Sequence, residues 1–230
     1  MRIPITKYGL PQALAYPLLT AALMAALIVV MPWGVPLALL TAVLFAVLVW
    51  ELAFFRDPER KIPRDERVLL SPADGTVTDI SETDAPELGG KALRIGMFLS
   101  VFNVHLNRVP CSVRVEAVAY KKGLFKNALD KDSSRVNEAN EVLMTRLAEP
   151  RDRLIVKQIS GAIARRIVCE AAPGKEYAQG ARFGMIKFGS RTELYVPVSG
   201  DSRPGGGYDV AVKIGDKVNA GVSPLVVYRP

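Results

Sequence analysis

The sequence predicts a mainly β fold: a compact antiparallel β-sandwich with one or two short helices, preceded by an N-terminal hydrophobic helical hairpin. Residues 1–55 are strongly apolar, and residues 56–67 are charged and contain prolines. From residue 68 onward, short β-branched stretches alternate with Gly, Pro, Asp and Asn. The predicted domains are a membrane-anchoring hairpin at 1–55, a basic linker at 56–67 and a β-rich domain at 68–230.

The hairpin is predicted from two apolar segments, residues 12–31 and 35–55. Each is close to the length of about 20 residues that a helix needs to cross a bilayer. Pro17, Pro32 and Pro36 shorten the uninterrupted helices, so a hairpin that enters only one leaflet is the alternative. Basic residues flank both ends of the pair, and the positive-inside rule therefore predicts a cell-membrane protein whose β-rich domain lies on the cytoplasmic face.

The β-rich domain is predicted from short runs of strand-forming residues. The expected strands cover residues 75–80, 92–101, 112–120, 141–147 and 154–159. Residues 161–169 are compatible with a short helix or a strand, and residues 121–140 form a polar loop long enough to suggest a function. Residues 68–77 and 212–228 resemble the two halves of a lipoyl or biotinyl carrier fold.

Charge and composition narrow the function classes. The net charge of +7 is compatible with nucleic acid, an anionic membrane or simple solubility. The apolar N-terminus favours an anionic membrane, and no aromatic stacking platform accompanies the arginines, so no nucleic-acid partner is expected. With Cys111 and Cys169 far apart and His105 the single histidine, no metal site is expected either.

The dipeptide Gly189-Ser190 carries the most specific chemistry. A hydroxyl on the residue after a glycine can attack the glycine carbonyl through a five-membered ring, which turns the amide into an ester. Loss of the serine α-proton then releases the upstream chain and leaves dehydroalanine, which hydrolyses to a pyruvoyl group. Most Gly-Ser pairs are ordinary turns, so this interpretation depends on the surrounding residues.

Those surroundings resemble the short form of the phosphatidylserine decarboxylase proenzymes, over roughly residues 50–230. The matching segments are residues 71–77, 102–110, 135–140, 164–168 and 183–197. On this resemblance the self-processing serine of the family falls on Ser190, its catalytic aspartate on Asp74 and its catalytic histidine on His105. The expected cleavage site is the bond between Gly189 and Ser190.

The resemblance implies a self-processing, pyruvoyl-dependent decarboxylase that converts phosphatidylserine to phosphatidylethanolamine and CO2 in phospholipid biosynthesis. Its cofactor is a covalent pyruvoyl group derived from Ser190, a ketone that accepts the electrons left when CO2 departs. The mature enzyme consists of two chains, residues 1–189 and 190–230. A homodimer and an anionic membrane complete the expected partners.

Side-chain chemistry is consistent with these roles and leaves alternatives. An imidazole titrates near neutral pH, so His105 can accept a proton during cleavage and donate one to the product; otherwise it is structural. Asp74 lies in a Pro-Ala-Asp-Gly turn, from which it can also orient His105 by accepting its other ring N–H. Arg191 and Lys187 flank the cut and either hold a phosphate or carboxylate or are solvated strand residues, the interpretation we favour.

The alternative function is a membrane-tethered lipoyl- or biotinyl-like carrier or adaptor domain. A carrier needs a lysine displayed at the tip of a hairpin. Lys187 is the candidate, although it lies in an apolar run and lacks the Ala-Met-Lys-Met setting. A carrier would stay whole and gain mass on a lysine, whereas the enzyme would be cut in two.

Overall fold

A computed structural model describes residues 5–130, 132–162, 166–187, 189–198 and 207–229. The chain divides into two compact units, Met1–Glu59 and Arg60–Pro230.

The N-terminal unit is a pair of apolar helices, as predicted. Helix α1 spans Leu10–Val30 and helix α2 spans Val35–Phe54, each with a proline in its first turn, where a missing N–H costs no hydrogen bond. Both are long and apolar enough to cross a membrane, with mean hydropathies of 2.3 and 2.4. The Thr20 hydroxyl on α1 donates to the carboxylate of Glu51 on α2 at 3.1 and 3.2 Å, which gives this acid a polar partner in apolar surroundings.

The second unit is mainly antiparallel β, which confirms the predicted fold class. Its strands are β1 Val68–Leu70, β2 Gly75–Ala85, β3 Gly90–Leu99, β4 Leu106–Arg108, β5 Val113–Lys121, β6 Ala139–Arg146, β7 Arg153–Ser160, β8 Ile167–Cys169, β9 Glu176–Tyr177, β10 Arg182–Ile186, β11 Ser190–Pro197, β12 Tyr208–Val210, β13 Lys217–Val218 and β14 Pro224–Tyr228. A single turn of helix, α3 at Ser133–Val136, lies in the loop between β5 and β6.

These strands form three sheets. The large sheet has the order β13-β2-β3-β11-β7-β6-β5-β9, and the two small sheets have the orders β1-β14-β12 and β4-β10-β8. All of the strand ladders in the described part of the chain are antiparallel. Residues 68–77 and 212–228, which suggested two halves of one carrier-like motif, do meet, since Val68 pairs with Val227.

One hydrophobic core joins the three sheets. Its fully buried members include Leu69, Met97, Phe183, Leu194 and Val226. Strand β11 lies in the middle of the large sheet, between β3 and β7. Because side chains alternate along a strand, Ser190 lies on the same face as the core residue Leu194, and residues 191 and 193 lie on the opposite face.

The structure answers part of what the sequence left undecided about two segments, residues 161–169 and 121–140. Within residues 161–169, the described residues Ile167–Cys169 form strand β8, so the strand alternative holds there; residues 163–165 lie outside the described residues. The polar loop at 121–140 is folded rather than extended. Leu124 and Asn137 form a β-bridge across it, and the Asn137 side chain donates to the carbonyl oxygens of Lys126 and Ser160, both at 2.8 Å.

Candidate active site

The Gly189-Ser190 bond lies where β11 begins. Ser190 pairs with Leu99 on β3 and with Ser160 on β7, and its side chain is fully buried. The downstream side of this bond is therefore held by two neighbouring strands and shielded from water.

The Ser190 hydroxyl is an unusual buried polar group. Within the described part of the chain, its Oγ has no hydrogen-bond partner. A buried hydroxyl without a partner costs about 1–3 kcal/mol, and such groups in native proteins call for an explanation. A nucleophile kept beside the carbonyl that it attacks provides one. The same orphaned atom fits the conversion of this residue to a pyruvoyl group, which has no hydroxyl to satisfy.

The carbonyl of Gly189 packs tightly against Gly161. A Cβ atom built on Gly161 would lie 2.3 Å from the Gly189 oxygen, far closer than any real contact, and Gly189 itself adopts a left-handed φ of +63°. The scissile carbonyl thus occupies the space that any side chain at position 161 would need. Glycine at both positions sets the orientation of the bond.

We expect Gly161→Ala to block or greatly slow cleavage at Gly189-Ser190, because the new methyl group must displace the carbonyl that Ser190 attacks. A misplacement of about 1 Å is enough to cost a hundredfold in rate. Gly207→Ala is the matched control, since nothing lies within 4 Å of a Cβ there. Gel electrophoresis of freshly translated chain would measure the rate. Cleavage at the rate of the control would show that the close approach has no role.

His105 is held against the same bond. It lies in the loop between β3 and β4, it is fully buried, and its Nε2 accepts a hydrogen bond from the Gly189 N–H at 3.3 Å. Its Nδ1 lies 3.0 Å from the carbonyl oxygen of Asn103. Because a carbonyl only accepts, this pairing places the imidazole proton on Nδ1 and leaves the lone pair of Nε2 directed at the Gly189 amide.

Asp74 has different partners from those expected. Its carboxylate forms a two-pronged ion pair with Arg60 at 2.7 and 2.8 Å and accepts the Ala220 N–H at 2.8 Å. A guanidinium matches both carboxylate oxygens at once, which a single imidazole N–H cannot do. Among the described contacts, the Nδ1 of His105 is therefore oriented by the Asn103 carbonyl instead of Asp74. The catalytic role of Asp74 itself stays a prediction.

Arg191 and Lys187 are not solvated, so that interpretation is wrong. Both are buried, with exposed fractions of 6% each. Arg191 Nε donates to Glu193 at 2.7 Å, and its guanidinium also binds Asp79 and the Thr78 hydroxyl. Burial by itself would lower the pKa of Arg191, but Glu193 and Asp79 outweigh it and the pKa is raised. For Lys187, burial and then the nearby charge of Arg166 lower the pKa.

The charged cluster around Glu193 fastens the polar loop to β11. Ser134 and Tyr195 both donate to Glu193 Oε2, at 2.7 and 2.6 Å. Glu193 is fully buried, and its negative charge is balanced by Arg191. Desolvation, followed by the charge of Glu193, raises the pKa of Tyr195, so this hydroxyl stays protonated and keeps its hydrogen bond.

A chain of buried amides supports the face of β11 that carries Ser190 and Thr192, and sequence reasoning missed it. Asn140 donates to Gln158 at 3.2 Å, Gln158 donates to Asn107 at 2.8 Å, and Asn107 donates to the Thr192 hydroxyl at 3.0 Å. Asn107 and Asn140 lie in motif segments, which was the available signal; Gln158 had none. The chain ties β11 to β4, β6 and β7 immediately after the cleavage site.

A pocket reaches the cleavage site from the side of the polar loop. It has a volume of about 300 Å³ and is lined by Phe98, Ser100, Val101, Asn127, Ala128, Ala162 and Gly189. Its walls are mostly apolar, and the backbone of Gly189 forms part of its lining. A small head group that entered it would arrive next to residue 190.

The fold and the site together define a β-rich domain in which a buried serine hydroxyl, without a hydrogen-bond partner among the described residues, and a buried histidine both lie beside Gly189. The sequence profile of the phosphatidylserine decarboxylase family matches residues 49–225. Phosphatidylserine decarboxylase proenzymes from Pelobacter propionicus and Rhodopirellula baltica are 43% and 39% identical, over 79% and 99% of this chain and 79% and 89% of theirs. One from Nitrosomonas eutropha is 41% identical over 93% of both chains.

The chain belongs to the phosphatidylserine decarboxylase family, and its class is therefore that of a decarboxylating enzyme. The family membership confirms the resemblance that the motifs suggested.

Proposed function

We propose that this chain is a proenzyme that cuts itself between Gly189 and Ser190 and then decarboxylates phosphatidylserine to phosphatidylethanolamine. The observation that carries the proposal is the buried Ser190 Oγ, which has no hydrogen-bond partner among the described residues and adjoins Gly189, whose N–H is bound by His105 Nε2. The names of the relatives support both the substrate and the processing.

Self-cleavage proceeds through an ester between Gly189 and the Ser190 side chain. Ser190 Oγ attacks the Gly189 carbonyl carbon, its proton passes to His105 Nε2, and the C–N bond breaks as the nitrogen regains a proton. The resulting ester then loses the Ser190 α-proton, and the Cβ–Oγ bond breaks to release Gly189 as a carboxylate. Water replaces the nitrogen of the dehydroalanine as ammonia leaves, which gives a pyruvoyl group at position 190.

The neighbouring residues keep the site assembled after the cut. Residues 190–197 stay between β3 and β7, held by the two ladders, by the amide chain that reaches Thr192 and by the Glu193 cluster. A pyruvoyl ketone supplies the electron sink for decarboxylation. His105, already protonated on Nδ1, can deliver a proton from Nε2 to the product after taking one up.

The apolar helices support a membrane role, and we propose that they anchor the enzyme to the cell membrane with the β-rich unit on the cytoplasmic face. The basic residues of 56–67, except Arg60 with its ion pair to Asp74, would then face anionic phospholipid, each contributing about 1 kcal/mol of attraction. A homodimer of the cleaved pair, 1–189 with 190–230, belongs to the same proposal. The carrier alternative is disfavoured because Lys187 is buried instead of displayed at a hairpin tip.

Intact-mass analysis of purified protein tests the proposal. Two chains should be found, ending at residue 189 and beginning at residue 190, with a combined mass that differs from the precursor by the exchange of one NH for one O. The downstream chain should have no free α-amino group. A single unmodified chain in active material would refute self-processing.

A comparison of variants at Asp74 and at its ion-pair partner Arg60 tests whether the Asp74 carboxylate takes part in cleavage. We expect Asp74→Asn to slow self-cleavage by about a hundredfold or more if the carboxylate takes part in proton transfer. The matched variant Arg60→Gln removes the same ion pair but leaves the carboxylate; it should be less stable, because Asp74 loses its buried partner, and we expect the folded variant to cleave within about tenfold of the parent. Time courses of precursor conversion give both rates. Equal losses in the two variants would limit Asp74 to the structural ion pair.

A further inference from the structure

Exposed apolar side chains adjoin, along the chain, the residues that line the pocket. Phe102, Leu124, Phe125 and Leu129, here called the apolar rim, are 73%, 57%, 41% and 56% exposed. They lie in two segments that also supply pocket walls: Val101 precedes Phe102, and Asn127 and Ala128 lie between Phe125 and Leu129. A single exposed apolar residue is ordinary, but a group around one concave site marks an interaction surface.

Both segments of the rim are held in place. The Asn103 side chain accepts hydrogen bonds from the N–H and the hydroxyl of Ser100, which fixes the turn that carries Phe102. The second segment is fastened by Asn137, whose side-chain oxygen accepts the Lys126 N–H at 2.9 Å. The rim is thus a built feature of the fold, with its apolar side chains presented to the outside.

The charged residues beside the apolar rim indicate what kind of partner binds it. Three exposed lysines, Lys121, Lys122 and Lys126, lie next to the rim in the second segment. Apolar side chains with lysines beside them match the surface of an anionic bilayer, in which the lysines meet head groups and the apolar groups reach the acyl boundary. If the proposed substrate is correct, its head group must enter this pocket while its acyl chains remain in the bilayer, and an apolar border permits both.

We propose that the apolar rim docks the β-rich unit on an anionic lipid bilayer, so that the pocket opens directly onto the head groups. This inference rests on the proposed function for its substrate. The contact itself is independent of turnover. It can therefore be tested even in a protein that is inactive.

Contact is measured by tryptophan quenching in the full chain. Trp33 and Trp50, the two native tryptophans, are replaced by phenylalanine, and Phe102→Trp is added. In vesicles of phosphatidylserine and brominated phosphatidylcholine, we expect this tryptophan to be quenched relative to unbrominated vesicles. Ile214→Trp is the control, because Ile214 is similarly exposed at 61% and is not part of the rim. Equal emission of the Phe102→Trp protein in both kinds of vesicle would overturn the proposal.

Activity gives a second, independent readout. The triple variant Leu124→Ser, Phe125→Ser, Leu129→Ser should cleave itself normally and decarboxylate short-chain dispersed phosphatidylserine at a rate within about twofold of the parent rate. Its rate on bilayer phosphatidylserine should fall about tenfold, which corresponds to about 1.4 kcal/mol of lost docking free energy. Ile214→Ser should affect neither substrate. Equal losses on both substrates would overturn the docking role. A tryptophan signal that depended on protein concentration instead of lipid would assign the rim to a second copy of the chain and overturn the proposal as well.

Discussion

Replacing Ser190 with alanine is expected to leave the chain whole and without decarboxylase activity. The substitution removes Oγ, the atom that attacks the Gly189 carbonyl. Because Oγ has no hydrogen-bond partner in the described part of the chain, the variant loses no hydrogen bond, and we expect its free energy of unfolding to be at least that of the uncut parent. Gel electrophoresis and intact mass would show one chain where the parent gives two.

Ser160→Ala is the matched control for this experiment. Ser160 lies directly opposite Ser190 on β7 and is equally buried, but its hydroxyl already donates to the Glu138 carbonyl at 3.1 Å. The control should cleave normally although it loses about 1 kcal/mol of stability. Cleavage of the Ser190→Ala chain after Gly189 would mean that another group attacks this bond, and the proposed chemistry would be wrong.

The sequence alone predicted several strands from their short runs of strand-forming residues. Residues 141–147 and 154–159 were expected as strands and are found as β6, Ala139–Arg146, and β7, Arg153–Ser160. Strand β2 was predicted at 75–80 but continues to Ala85, because Ser81–Asp84 pair with β3 in a long hairpin despite their polar sequence. The insertion of β11 between β3 and β7 joins distant segments, and no local pattern encodes it.

The sequence motifs identified the candidate site residues, but they could not show which charged side chains are buried or what those side chains contact. Arg191 and Glu193 are opposite charges two residues apart on one strand, so they share a face and can pair; we instead expected Arg191 to be solvated, because only the tertiary structure shows that the pair is buried. Composition assigned Arg60 to the basic linker at 56–67, and nothing in that assignment indicated its pairing with Asp74. The close approach of Gly161 to the scissile carbonyl depends on two loops meeting and leaves no mark in the sequence.

Replacing His105 is expected to slow both self-cleavage and decarboxylation. Its Nε2 accepts the N–H of Gly189, one peptide upstream of the bond to be cut, and His105→Ala should slow self-cleavage by about a hundred to ten thousandfold, the usual effect of general acid–base catalysis. Precursor made by cell-free translation and sampled over time would give the rate. Any cleaved fraction, once isolated, would show whether decarboxylation falls by a similar factor.

The His105→Gln variant separates proton transfer from hydrogen bonding. A glutamine amide can place an oxygen near the position of Nε2 and accept the Gly189 N–H, but it does not take up a proton at neutral pH. If His105 acts as a base, the glutamine and alanine variants should be similarly slow. Recovery of the parental rate with glutamine would show that the imidazole serves only to hold the Gly189 amide, and the proton would then have to leave Ser190 by another route.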